Sequence, residues 1–260
     1  MSARKSPVKK ATIEKIATLF TYRRLTDLLK AVGLDKNKAL LNQLVHVQFQ
    51  IYMLDAYLES EWVLNKKEIT ILWKSIRDSL TIMGYSKKKV DKLIEEIEEY
   101  EKIESNCRKD RWPTKESMKK FYTTKSCDVR LVRKLIYHAE PSLEDKWKES
   151  SWRYYDIITE INDDVADVQE DINTYNGNRF LISILRKGTD KTRQEYMEYL
   201  ADITSGAADY FSERMERGKN KQLAAWIGAR SRETAKLIDI QSDPKMLDRL
   251  STSLLLTQMK

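Results

Sequence analysis

The sequence is poor in the residues that staple or punctuate a chain: its 260 residues include two cysteines, two histidines, four prolines and seven glycines. Cys107 and Cys127 cannot build a disulfide framework, and with His46 and His138 they cannot complete a Cys/His zinc site. Any metal bound here needs oxygen ligands. No stretch approaches the ~18 uninterrupted apolar residues of a spanning helix. Nor does an apolar core follow the basic start, as a secretory signal requires, so the expectation is a cytoplasmic protein. Alternating apolar and polar runs are almost missing too, which argues against strands.

What remains is helix-forming sequence. Hydrophobic residues make up 41% of the chain, aromatics 9% and charged residues 33%, the balance of a globular protein rather than a disordered one. The fold class expected is all-α, a single domain of about ten helices joined by short connections. Stop signals fall at Gly33, Gly84, Pro113, Pro141, Gly188, Gly218 and Pro244. The opening MSARKSPVKK, residues 1–10, is basic and aperiodic and is expected to be a flexible tail ahead of a domain over 11–260. The run from Lys87 to Ser105 reads as a charged amphipathic helix whose charges face water. The net charge of +7 sets 47 basic against 40 acidic residues, weak support for a helical nucleic-acid-binding protein with no groove-reading motif.

Two helices carry the chemistry. From Ala39 to Leu58 the only formal charge is Asp55, so this helix is expected to be buried nearly all round. Asp55 and Glu59 share a face with Leu44, Ile51, Leu58 and Trp62. Two carboxylates there need cations, donors or a wet cavity, and a salt bridge from another helix serves as well as a metal. The second helix is expected to run from about Leu143 into the 170s. Its acids Asp156, Glu160, Asp163, Asp164, Asp167, Glu170 and Asp171 fall within an arc of about 120°, apart from the isoleucine and valine stripe. Such an arc describes a solvated acidic face equally well. Together, the two acidic helices can supply the oxygen-rich, watery coordination that Mg²⁺ prefers.

NDDVADVQEDINTYNGNRFLISILRKG, beginning at Asn162, resembles the second metal motif of class I terpene synthases, N-D-x-x-[ST]-x-x-x-E with a later Asn. Asn162, Asp163 and Glu170 match, Ala166 replaces the hydroxyl residue, and Asn178 takes the later position. LDAYLE, ending at Glu59, resembles the first motif, D-D-x-x-x-E, with Leu54 for its first acid and Asp55 and Glu59 retained. WIGARSRETAKL (226–237) is similar to the segment leading to an Arg-Tyr pair, here Lys236 and Leu237. ITEINDDVADVQED is also similar to the second Asp-rich motif of chain-elongating prenyl diphosphate synthases, with Asp163, Asp164 and Asp167 as ligands and Arg23 and Arg24 as a basic segment. Squalene and phytoene synthases carry related helices.

The resemblance implies a single large bundle around a central cavity, with Mg²⁺ held by Asp55, Glu59, Asn162, Asp163, Asp164, Asp167, Glu170 and Asp171 against a prenyl diphosphate. Asp55, Asp163 and Glu170 carry the catalytic role, and Arg130, Arg133, Arg179 and Lys236 the diphosphate. Where cyclases have a diphosphate-sensing Arg, this chain reads MKKFYTTKS (118–126), leaving Lys119, Lys120 or Lys125 as point charges. Phe49, Tyr52, Tyr57, Tyr154 and Tyr155 would shield the allylic cation. The implied activity is Mg²⁺-dependent ionisation with loss of pyrophosphate, leading to cyclisation. A trans-prenyltransferase or a non-catalytic descendant is the alternative, and a homodimer is left open.

Overall fold

A computed structural model describes residues 7–61, 63–107, 117–171, 177–213 and 220–243. Among them every regular element is a helix and there is no strand, so the chain is all-α. In chain order the helices are α1 (Pro7–Tyr22), α2 (Leu25–Ala31), α3 (Lys38–Ser60), α4 (Lys66–Ile82), α5 (Lys87–Cys107), α6 (Met118–Lys125), α7 (Cys127–Ala139), α8 (Leu143–Lys146), α9 (Arg153–Ala166), α10 (Val168–Asp171), α11 (Arg179–Lys187), α12 (Thr189–Ser212) and α13 (Lys221–Gln241). Short 3-10 turns occupy Leu34–Lys36 and Glu149–Trp152.

The starts and stops follow local chemistry. Asn37, Asn65, Ser117 and Asn178 each accept a bond from a backbone N–H in the first turn of α3, α4, α6 and α11, meeting donors that otherwise lack a partner. Gly84 (φ 92°) and Gly188 (φ 80°) turn the chain through the left-handed region that a Cβ disfavours. Pro113, Gly218 and Pro244 lie outside the described residues.

Three expectations are corrected. The basic tail does not extend to residue 10, because α1 already begins at Pro7, whose fixed φ and missing N–H suit a first helical position. The long second helix is divided: Pro141 precedes the four-residue α8, the 3-10 turn at Glu149–Trp152 intervenes, and Asp167 separates α9 from α10. The third concerns α3, which is buried on one stripe only. Leu40, Leu44, Val47, Gln48, Ile51, Leu54 and Leu58 point inward, while Asn42, His46 and Met53 reach water. Uncharged side chains misled the reading, since amides and a histidine are content in solvent.

The chain forms two compact units, one of residues 1–98 and 127–144, the other of 99–126 and 145–260. In the first, the inner stripe of α3 packs against α1, α4 and α7. Gln48 donates to Asp128 across α3 and α7 at 3.0 Å. Glu96 of α5 receives Arg130 at 2.6 Å and Lys134 at 2.6 Å from α7, and Arg77 of α4 reaches Asp91 and Glu98 of α5. In the second unit α9 is the central helix, packed by α6, α11, α12 and α13. Its flank is a tryptophan cluster of Trp147, Trp152 and Trp226, with ring centroids 5.9 to 6.1 Å apart.

Candidate functional site

A helix packed on several sides has little outer face for its charges, and α9 brings acids inside with its isoleucines. Asp156, Glu160 and Asp164 are at most 2% exposed, as buried as Ile158 and Ile161. A solvated acidic face is therefore overturned for these three. A carboxylate at such depth persists only when donors surround it, and for Asp164 the donors come from two neighbouring helices. Its Oδ1 takes the ammonium of Lys125 at the end of α6. Its Oδ2 accepts from the Tyr122 hydroxyl at 2.9 Å and from the backbone N–H of Arg179 at 2.9 Å, at the start of α11. Tyr122 also bonds the Tyr196 hydroxyl of α12 at 2.8 Å.

Burial by itself lowers the proton affinity of Lys125, but Asp164, Glu160 and Asp163 outweigh it and the ammonium is held above its ordinary range. Burial, reinforced by Asp164, pushes Tyr122 and Tyr196 upward, so both remain phenols. Asn178 completes the hub. Its side-chain N–H₂ reaches the Asp164 carbonyl at 2.7 Å and Asp171 Oδ2 at 2.6 Å, while its oxygen caps α11. This residue, which the resemblance singled out, ties α9, α10 and α11 together.

Beside the hub lies a second acidic run. Asp163, Asp167 and Asp171 follow one another at four-residue spacing, and the bonds Asp167 N–H to Asp163 C=O and Asp171 N–H to Asp167 C=O, both 2.9 Å, keep them on one side across the break. Asp167 reaches water along part of its side chain. Its carboxyl is nonetheless pushed up to about 6 by partial burial and by the charges of Asp163, Asp171 and Glu170. The face is rich in oxygen donors and negative potential.

The other candidates are distributed. Asn162 is buried, donating to Thr234 at 2.9 Å and facing Arg230 at 3.5 Å, so it links α9 to α13. Asp55 and Glu59 sit half-buried toward the end of α3 in the first unit, and Phe49, Tyr52 and Tyr57 are half-buried on the same helix. The Tyr57 hydroxyl accepts from the Asn65 N–H at 2.9 Å and Tyr52 meets Lys15 at 3.5 Å, joining α3 to its neighbours. Tyr154 packs on Tyr210 and Phe211, and Tyr155 receives Arg230 at 3.3 Å. Arg130 is committed to Glu96, Arg133 is buried in α7, and Lys236 is exposed on α13. Arg179 is 9% exposed with its guanidinium over the Phe121 ring at 5.5 Å.

The sequence reading missed Arg230, yet a signal was there. It sits at helical spacing in the buried stripe Leu223, Ile227, Arg230, Thr234, Ile238, where a charge demands partners. Tyr122 and Tyr196 gave none, because a tyrosine on an apolar stripe reads as ordinary core.

Among the described residues no three His, Cys, Asp or Glu side chains converge as a metal cage. Mg²⁺ seldom uses one; it keeps waters and takes one or two carboxylates plus substrate phosphates. The oxygen-only face of Asp163, Asp167 and Asp171 fits that mode. Compared with family models, curated proteins and solved structures, the chain matches none.

Proposed function

We propose that this chain is a class I isoprenoid synthase-like enzyme that ionises a prenyl diphosphate, with cyclisation of the resulting cation as the main outcome. The observation that carries the reading is the run Asp163, Asp167 and Asp171 on one side of α9 and α10, beside a hub that fixes the backbone bearing it. Asp163, Asp167, Glu170 and Asp171 are the residues that would hold Mg²⁺. When bound, that ion supplies positive charge against the departing diphosphate.

The chain's own part is organisation. Lys125, Tyr122 and the Arg179 N–H hold Asp164, which fixes the backbone that carries the neighbouring Asp163 and Asp167. Arg179 adds a guanidinium near the start of α11, where a helix N-terminus favours anions. In the reaction the C–O bond breaks heterolytically and its electron pair leaves on the diphosphate oxygen. Stabilising that charge is the dominant demand on such a site. The reading places the enzyme in the cytoplasm, and consumption of isopentenyl diphosphate would identify the chain-elongating alternative.

The test is incubation of the purified protein with geranyl, farnesyl and geranylgeranyl diphosphates and Mg²⁺, following pyrophosphate release and extracted products. Release that requires Mg²⁺ and is lost in Asp163→Ala supports the reading. Failure with all three substrates, by protein whose thermal melt shows it folded, sinks it.

A further inference from the structure

The first unit carries an unusual surface. Of the six large apolar side chains that stand exposed among the described residues, four (Met53, Val63, Ile71 and Ile82) lie between α3 and the end of α4. Ile71 is 56% and Ile82 70% exposed. On α4 they belong to one solvent stripe, Lys67, Ile71, Lys74, Asp78 and Ile82, confined to an arc of about 80°. Isoleucines exposed singly need no explanation, but two on one stripe flanked by lysines form an amphipathic surface of the interfacial kind.

The stripe runs into a second basic feature. Past Gly84 the chain enters α5 through Lys87, Lys88 and Lys89, and no acid stands in that first turn. Each lysine there opposes the helix dipole. The nearby acid Asp91 does not offset the charge, because Arg77 already claims it. Asp78 is the one acid on the stripe itself.

We propose that the outer stripe of α4 and the start of α5 form a docking surface for an anionic lipid bilayer, with Ile71 and Ile82 entering the headgroup boundary and Lys67, Lys74, Lys87 and Lys88 meeting lipid phosphates. Apolar side chains distinguish this occupant from a nucleic acid, whose phosphates offer an isoleucine nothing. A second copy of the chain is disfavoured by charge, since a two-fold interface sets a patch against itself and would bring lysines together. The inference concerns a surface remote in sequence from Asp163 and holds whether or not the chain turns over a diphosphate.

The experiment is co-sedimentation of the full chain with vesicles of phosphatidylcholine alone or mixed with phosphatidylglycerol. Binding is expected only with the anionic vesicles. At ~1 kcal/mol per lysine, K87E/K88E should weaken it at least about tenfold. I71S/I82S should weaken it as well, at unchanged charge. K87E/K88E places acids where the dipole favours them, so its melting temperature should equal or exceed the wild type's and loss of fold cannot explain lost binding. The proposal is overturned by absent binding to anionic vesicles, by variants that bind as the wild type does, or by tighter binding to duplex DNA than to vesicles at equal salt. It is overturned too if light scattering shows a dimer that I71S/I82S converts to monomer.

Discussion

Lys125 keeps its charge in a buried setting because Asp164 receives it, and each would be costly without the other. Removing one partner of such a pair strands the second. Lys125→Met is expected to cost about 3 kcal/mol, by analogy with broken buried pairs. Removing both charges in Lys125→Met with Asp164→Asn should recover much of the loss. Thermal denaturation checks both variants, and a single variant melting with the wild type would remove Asp164 from the role given it here. Asp167 has the opposite character. Partial burial and its acidic neighbours raise its carboxyl to about 6, so the folded chain holds that proton more tightly than the unfolded chain, and ionisation at neutral pH works against folding. Stability linked to this group therefore rises as pH falls from about 6 toward the ordinary aspartate value of about 3.9. Asp167→Asn should be more stable than the wild type at pH 7, by no more than about 1 kcal/mol because the side chain is partly solvated, and the gap should close near pH 4. Added Mg²⁺ should raise the wild-type melting temperature more than the variant's, since only a ligand favouring the folded state shifts it. An equal rise in both would separate Asp167 from the metal.

At the scale of elements, α5 and α7 are joined by one carboxylate serving two cations. Partial burial alone would raise Glu96, but bonds from Lys134 and Arg130 with their charges hold it below its ordinary value. Its contribution is then complete above the unfolded glutamate value of about 4.3 and is lost as pH falls through the lower folded value. Glu96→Gln should destabilise by about 1 kcal/mol or less at pH 7, the pairs being partly exposed, and should match the wild type near pH 3. Melting curves across that range check the sign; a difference that grows in acid would contradict it. The same scale shows what the sequence disclosed. The all-α class and the turns at Gly84 and Gly188 were legible, because few glycines and prolines leave a helical chain few places to bend. The motif match at Asn178 was legible too, but nothing in the sequence disclosed its use as a cap and bridge. The environment of α9 was hidden: its pattern of acids and isoleucines suits an amphipathic surface helix, and only the packing of α6, α11, α12 and α13 shows that Asp156, Glu160 and Asp164 are inside. For α3 the error ran the other way, since a helix almost free of formal charge still gives Asn42 and His46 to solvent.

For the whole molecule, the path of the chain matters more than any one contact. The boundary between the two units falls within α5, between α6 and α7, and within α8, so the backbone passes from one unit to the other three times. Neither unit is a continuous piece of sequence. The N-terminal half of α5 is held by Arg77 through Asp91 and Glu98, while its C-terminal half belongs to the unit built on α9. A helix gains its stability from neighbouring turns, so melting one half of α5 removes support from the other. The expected consequence is one cooperative transition. Tryptophan fluorescence of a Trp62→Phe/Trp73→Phe variant tests this, because the tryptophans left, Trp112, Trp147, Trp152 and Trp226, all fall in the sequence of the α9 unit, whereas circular dichroism at 222 nm reports on helices throughout. Coincident midpoints in urea would mean that the shared helices bind the units into one folding event. A fluorescence midpoint well separated from the dichroism midpoint would mean that the chain tolerates a break inside α5, and the two units would then have to be treated as independent in stability.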